Sequence, residues 1–268
     1  MTDLIAHLGL LDDEEIELDL AALELSGLDH EAVALDPYVA LLDRMAADLG
    51  DAAEGAVSGE EQAAVLADLL FARHGFTGDK ATYDAPLNAD MIRVLDRRQG
   101  LPVSLSILYV AMARRIGWSA DALNIPGHVL VRVGPAEASV VIDPFHDGMI
   151  VGADALANLL RRTLGVEAGS GPVRVEPMSN RQVLVRLLLN QASRAEQDGD
   201  SARALTVYER MVAVAPSSGQ GWWDLARLQL AAGRVEEARV SLSAMLEVTR
   251  DGDSRAHISA ALEALAGR

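Results

Sequence analysis

Three residues with the makings of an acyl-transfer centre lie in one stretch, residues 97–148. Ser104 follows Arg97-Arg98-Gln99-Gly100-Leu101-Pro102-Val103 near the expected start of a helix. His128 follows Pro126-Gly127 at the start of a β-like run, and Asp143 closes another such run in Ile142-Asp143-Pro144-Phe145. A hydroxyl, an imidazole and a carboxylate are the parts of a nucleophile, base and orienter. The same residue types also serve plainer purposes. Ser104 can cap the helix, or act as a nucleophile if a ring nitrogen of His128 comes within about 3 Å. His128 and Asp143 can share a structural hydrogen bond that fixes the imidazole tautomer, and Asp143, before a proline, can accept backbone amides in a turn. At the level of sequence these alternatives stay open.

His128, Asp143, His146 and Asp147 also supply nitrogen and oxygen donors of the kind that hold metals, but only a loop that curls brings them together, so no metal and no cofactor is expected. The chain has no cysteine, which excludes disulfides, thiolate metal sites and a thiol nucleophile. Lys and Arg number 23 against 40 Asp and Glu, a formal charge of −17 that repels phosphate backbones and anionic lipid surfaces. Nucleic acid and membrane are not expected partners. No apolar run approaches the roughly 20 residues of a membrane span, and the start has no basic segment leading into an apolar one. A soluble cytoplasmic protein is expected.

Half of the residues are hydrophobic but only 4% are aromatic, so the core must come from Leu, Val, Ile and Ala, with Ala-rich helices as its carrier. The spacing predicts helices over residues 12–28, 36–50, 58–74, 89–98, 104–117 and 152–164. Asp36-Pro37 and the capping box Ser58-Gly59-Glu60-Glu61 mark two of the starts. Residues 76–86 read as loop. β-branched runs at 129–133 and 140–142, separated by Gly134-Pro135-Ala136-Glu137-Ala138-Ser139, predict a hairpin, with a preceding strand at 120–125. The helix from Ser104 is apolar enough to cover that sheet, which sets its start beside the strand ends that carry His128 and Asp143. Gly165 to Pro177, with Gly-Ser-Gly-Pro at 169–172, reads as a boundary, giving two domains of about 1–170 and 178–268.

Beyond Asn180 the sequence repeats with a period of 34: Ala192 matches Ala226, Gly199 matches Gly233, Ala204 matches Ala238, and Met211 matches Met245. That period, with small residues at helix crossings, bulky Tyr208 and Leu242, and Pro216 closing the unit, is the tetratricopeptide pattern. About two repeats and a capping helix from Ser254 are expected. Trp222 and Trp223 open the second repeat, about 100° apart around the helix, so one should pack inside while the other points elsewhere, as an anchor for a protein or peptide in the repeat groove or in packing.

At Phe76, Asn88, Val94 through Ser106, Leu108-Tyr109, Gly117, Pro126-Gly127-His128 and Ile142-Asp143-Pro144-Phe145, the chain resembles the SirB family of regulator-like proteins. The resemblance implies an α+β, mostly helical fold, with a papain- and transglutaminase-like core followed by tetratricopeptide repeats. Catalytic proteins of that kind carry Gly-x-Cys at the helix start. Counting back from Gly117 puts Pro102 in the cysteine position, with Gly100 as its glycine, while His128 and Asp143 match the histidine and aspartate. By the same resemblance Asn88 and Arg98 buttress the loop before Pro102, with ligand binding by that pair as the other reading. Two functions follow. One is a non-catalytic interaction or regulatory protein, and the other is a serine-dependent acyl transferase or amide hydrolase using Ser104, His128 and Asp143.

Overall fold

A computed structural model describes residues 5–125, 127–164 and 175–266. Pro126 and most of the expected boundary, residues 165–174, lie outside the described residues. Packing divides the chain into two units, Asp13–Val183 and Met1–Asp12 with Leu184–Arg268. Residues 5–12 therefore group with the repeats. Within that unit the turn Ala6–Gly9 is seated through Gly9, whose bare Cα lies where any side chain would strike the Ala213 carbonyl oxygen.

In the Asp13–Val183 unit, a short 3-10 turn, Asp13–Glu15, leads to α1, Leu18–Gly27. The helix starts later than its acidic run predicts, because Asp13 serves a different helix. Its two carboxylate oxygens accept the backbone amides of Asn180 and Arg181 at 2.8 and 2.9 Å, neutralising the amino end of the helix that begins there. α2 spans Asp36–Ala52, and α3, Gly59–Ala67, runs on into a π-helical turn, Asp68–Arg73. The capping box of α3 forms as its sequence predicts: Ser58 Oγ accepts the Glu61 amide at 3.2 Å, and Glu61 accepts the Ser58 amide at 2.9 Å.

Two strands that the sequence does not announce follow. β1, Thr77–Gly78, and β2, Gln99–Gly100, pair in parallel around α4, Met91–Arg97. Two residues per strand carry no period-2 pattern to read. α5, Pro102–Arg115, then crosses the inner face of a four-stranded antiparallel sheet ordered β3 (Ala120–Ile125), β4 (His128–Val133), β5 (Val140–Asp143), β6 (Met149–Ile150). β3 and β4 make the tightest hairpin, with Ile125 opposite His128 and Gly127 at φ 78°. β5 pairs with β4 through Val131 and Ile142, which leaves Asp143 at the sheet end that carries His128. α6, Ala153–Leu164, covers the other side through Leu156, Leu159 and Leu160, packed with Leu123, Ile125 and Leu130.

The second unit continues α7, Asn180–Gln197, with α8 (Ser201–Val214), α9 (Gly219–Ala231), α10 (Val235–Val248) and α11 (Gly252–Ala266). The period of 34 is visible as structure. Gly199 and Gly233 occupy matching left-handed turns at φ 77° and 74°, and Ala192, Ala204, Ala226 and Ala238 are all buried where helices cross. Among the described residues no helix is long and apolar enough to cross a membrane.

The start of α3 fixes that helix to the hairpin between β4 and β5. A Cβ on Gly59 would run into the carbonyl oxygen of Ala138 and lie 2.9 Å from that of Val133, both rigid backbone. Gly59→Ala is expected to destabilise the protein by about 2 kcal/mol, as overpacking against backbone does. Gly152→Ala, with nothing within 4 Å, should be near neutral; urea denaturation of the two variants checks the difference.

Candidate functional site

The site is organised by the amino end of α5. Every residue from Pro102 to Ala113 is buried, so the backbone groups at the helix start find partners inside the protein or not at all. The helix begins at Pro102, two residues earlier than Ser104. Proline at the first position removes one amide that would have needed a partner. Ser104 handles the next problem from the third position: its hydroxyl accepts the Leu101 amide at 2.8 Å and donates to the Asn88 carbonyl, also at 2.8 Å. Gly100 makes room, since a Cβ there would sit 2.6 Å from that oxygen. The Ser104 hydroxyl is thus fully buried and committed as a cap, and no hydrogen bond joins it to His128 among the described residues.

Asn88 is the hub behind this cap. Its carbonyl receives both Ser104 and the Leu101 amide, its side-chain NH2 donates to the Thr82 carbonyl at 2.7 Å, and its side-chain oxygen accepts Arg97 at 2.9 Å. Arg97 also pairs with Asp79 at 2.9 Å. Burial pushes the Asp79 carboxyl up, but hydrogen bonds from Thr82, Arg97 and Asn88 outweigh it and hold the group far below the usual carboxylate range. The buttress expected of Asn88 and Arg98 is therefore built by Asn88 and Arg97. Arg98 ends α4 in the left-handed conformation, φ 60°, which carries its guanidinium over the Phe76 ring, 4.6 Å from the centroid. Nothing in the sequence marks Asp79 and Arg97 as site residues, because their pairing is across 18 positions of loop and helix.

His128 and Asp143 do meet. Nε2 of His128 lies 2.9 Å from Oδ2 of Asp143, with both side chains largely buried. A third group joins them: Nδ1 of His146 lies 2.8 Å from the same Oδ2. The other oxygen, Oδ1, accepts the backbone amides of Phe145 and His146 at 3.0 and 3.3 Å, so Asp143 is also the cap of the 3-10 turn Pro144–His146. That turn is the curl on which a metal arrangement depended. It is held from outside by Thr77, whose hydroxyl donates to Asp147 at 2.7 Å, and by Gly78, whose bare Cα admits the Phe145 ring. Phe145 in turn stands edge-on to His128, His146 and Tyr83. Burial raises the Asp143 pKa, but the hydrogen bonds and charges of His128 and His146 together prevail and lower it. Asp147 takes no part in this cluster; its carboxylate is turned to Thr77. His146 was named in the sequence only as a donor that a curl would recruit, and Asp-Pro-x-His is the local signal for that curl.

A cleft of about 370 Å³, lined by Glu14, Glu17, Asp19, Arg114, Arg115 and Asn180 among others, lies at the opposite end of α5. Both of its arginines are paired, Arg115 with Asp19 at 2.8 Å and Arg114 with Asp121 at 3.1 Å, and Arg114 also donates to the Asn180 side-chain oxygen at 2.6 Å. In the repeats the two tryptophans differ in exposure, but neither is fully buried. The Trp222 indole N–H donates to the Pro216 carbonyl at 2.8 Å and ties the turn between repeats, while Trp223 is 44% exposed.

Comparison with known proteins agrees with both parts. The pattern of the transglutaminase-like superfamily matches residues 36–189, and that of the tetratricopeptide repeat matches residues 195–265. A UPF0162 protein of Xylella fastidiosa (strain 9a5c) is 28% identical over 90% of this chain and 87% of its own length. A UPF0162 protein of Pseudomonas aeruginosa is 27% identical over 77% of this chain and 78% of its own. The F-box only protein 21 of Mus musculus is 35% identical over 77 residues, 29% of this chain and 12% of that protein.

Two outcomes test the buttress. Ser104→Ala is expected to destabilise by about 1–3 kcal/mol, because it removes a buried partner of Leu101 and Asn88. For Asp79, the folded carboxyl titrates below its unfolded value, so its stabilisation is present above that value and is lost as pH falls below about 4. Asp79→Asn should therefore lower stability at neutral pH by about 2–4 kcal/mol, by unpairing Arg97, and the gap to the unaltered protein should narrow on acidification; urea midpoints measured across pH check both.

Proposed function

We propose that this chain, which belongs to the transglutaminase-like superfamily and carries tetratricopeptide repeats behind that core, works by binding a protein segment and has no acyl-transfer chemistry of its own. The observation that carries the reading is Pro102 at the first position of α5. By resemblance this is where the superfamily's thiol sits, and a proline has no nucleophile to offer. The nearest hydroxyl, that of Ser104, is spent on the helix start and fully buried. His128 and Asp143 persist as a hydrogen-bonded pair, the base and orienter of a triad whose first member is missing.

Recognition falls to the repeats. Such modules stack helix pairs into a surface that takes extended peptides or partner helices. Trp223 supports this reading, since a large rigid aromatic side chain left exposed on α9 is the residue type that anchors protein contacts.

Peptides selected from a displayed library on the full chain provide the test of binding. Trp223→Ala is expected to weaken them at least tenfold, about 1.4 kcal/mol, and Ser104→Ala to leave them unchanged while the protein stays folded. The absence of chemistry is tested separately: a fluorophosphonate probe should leave the protein unlabelled at neutral and mildly alkaline pH. Labelling at Ser104 that disappears in His128→Ala would replace this reading with a serine-dependent hydrolase or transferase.

A further inference from the structure

The geometry points to a binding site for one divalent first-row transition cation of the zinc class, held by Nε2 of His128, Oδ2 of Asp143 and Nδ1 of His146. These three donor atoms lie within 4.8 Å of one another, the one such group among the described residues. The inference goes beyond the function proposed above and does not depend on it.

A histidine and aspartate retained from a catalytic triad need only each other. Here a second imidazole is brought to the same carboxylate oxygen, so that Oδ2 lies 2.9 Å from one ring nitrogen and 2.8 Å from the other. Donors bound at about 2.1 Å to one ion stand roughly 3.0–3.4 Å apart at right-angled or tetrahedral positions, which follows from metal–nitrogen and metal–oxygen bond lengths. Both nitrogen–oxygen pairs need to open by only a few tenths of an ångström. The two rings must close on each other, and His146, whose side chain is 51% exposed, is the ring less enclosed by protein.

The surroundings are those of a ligand set already oriented. Oδ1 of Asp143 is occupied by two backbone amides, which turns Oδ2 toward the two ring nitrogens as the corner of the carboxylate they share. The turn that presents His146 is closed by the Gly148 amide on the Asp143 carbonyl, at 2.9 Å, and pinned by Thr77 on Asp147. Against Gly148 lies the Tyr109 hydroxyl, fully buried and without a hydrogen-bond partner among the described atoms. Two imidazoles and one carboxylate suit zinc, cobalt, nickel, iron or manganese, and leave open positions for water; an all-oxygen cation such as magnesium or calcium is not matched by this set. The formal charge of −17 favours any cation.

Titration of the chelator-stripped 268-residue chain with zinc chloride by calorimetry is expected to give one equivalent of tight binding, and cobalt chloride to give a visible ligand-field band of the same stoichiometry. His146→Ala is the decisive variant, because the half-exposed ring can be removed without disturbing the fold, as circular dichroism would verify. It should weaken zinc more than tenfold and abolish the cobalt band, as should His128→Ala, whereas His257→Ala on α11 should change neither. No zinc heat up to millimolar concentration, or binding in folded His146→Ala as tight as in the unaltered chain, would overturn the assignment.

Discussion

The structure depends on one constraint: α5 is buried from Pro102 through Ala113, so its polar start must be satisfied within the protein. A helix at the surface can leave its first amides to water. This one cannot, and the answer is a chain of contacts that runs from Leu101 to Ser104, from Ser104 to Asn88, and from Asn88 through Arg97 to Asp79. Each link removes a buried donor or acceptor that would otherwise destabilise the fold by a kilocalorie per mole or more. The short parallel pair β1 and β2 follows from the same need, since it seats the segment before the helix.

That solution bears on chemistry. A serine at a helix start looks like a nucleophile when only the order of residue types is known. In the folded chain the same hydroxyl is a cap with two partners and no contact with solvent. Stabilising the start of α5 and attacking a substrate are competing uses of one oxygen, and the hydrogen bonds to Leu101 and Asn88 serve the first.

The opposite end of the site shows the reverse relation. Asp143 splits its two oxygens, one to the backbone of the turn that follows it and one to the rings of His128 and His146. The capping interaction that shapes the turn is what brings the second imidazole over the carboxylate. Gly78 and Thr77 on β1 then hold that turn in place, so the buttress at the start of α5 and the histidine cluster share one small sheet.

Much of this was written in the sequence. The capping box of α3, the hairpin of β4 and β5 and the repeat period of 34 rest on local spacing, and local spacing determines local structure wherever turn chemistry and apolar periodicity agree. Tertiary structure alone decided the rest. Asp13 left its own helix to cap α7, Arg97 rather than Arg98 joined Asn88, two-residue strands paired across intervening helix, and His146 turned back to Asp143. In each of these the partner nearest in space was set by packing rather than by distance along the chain, and where the group is buried it had to be found once water was gone.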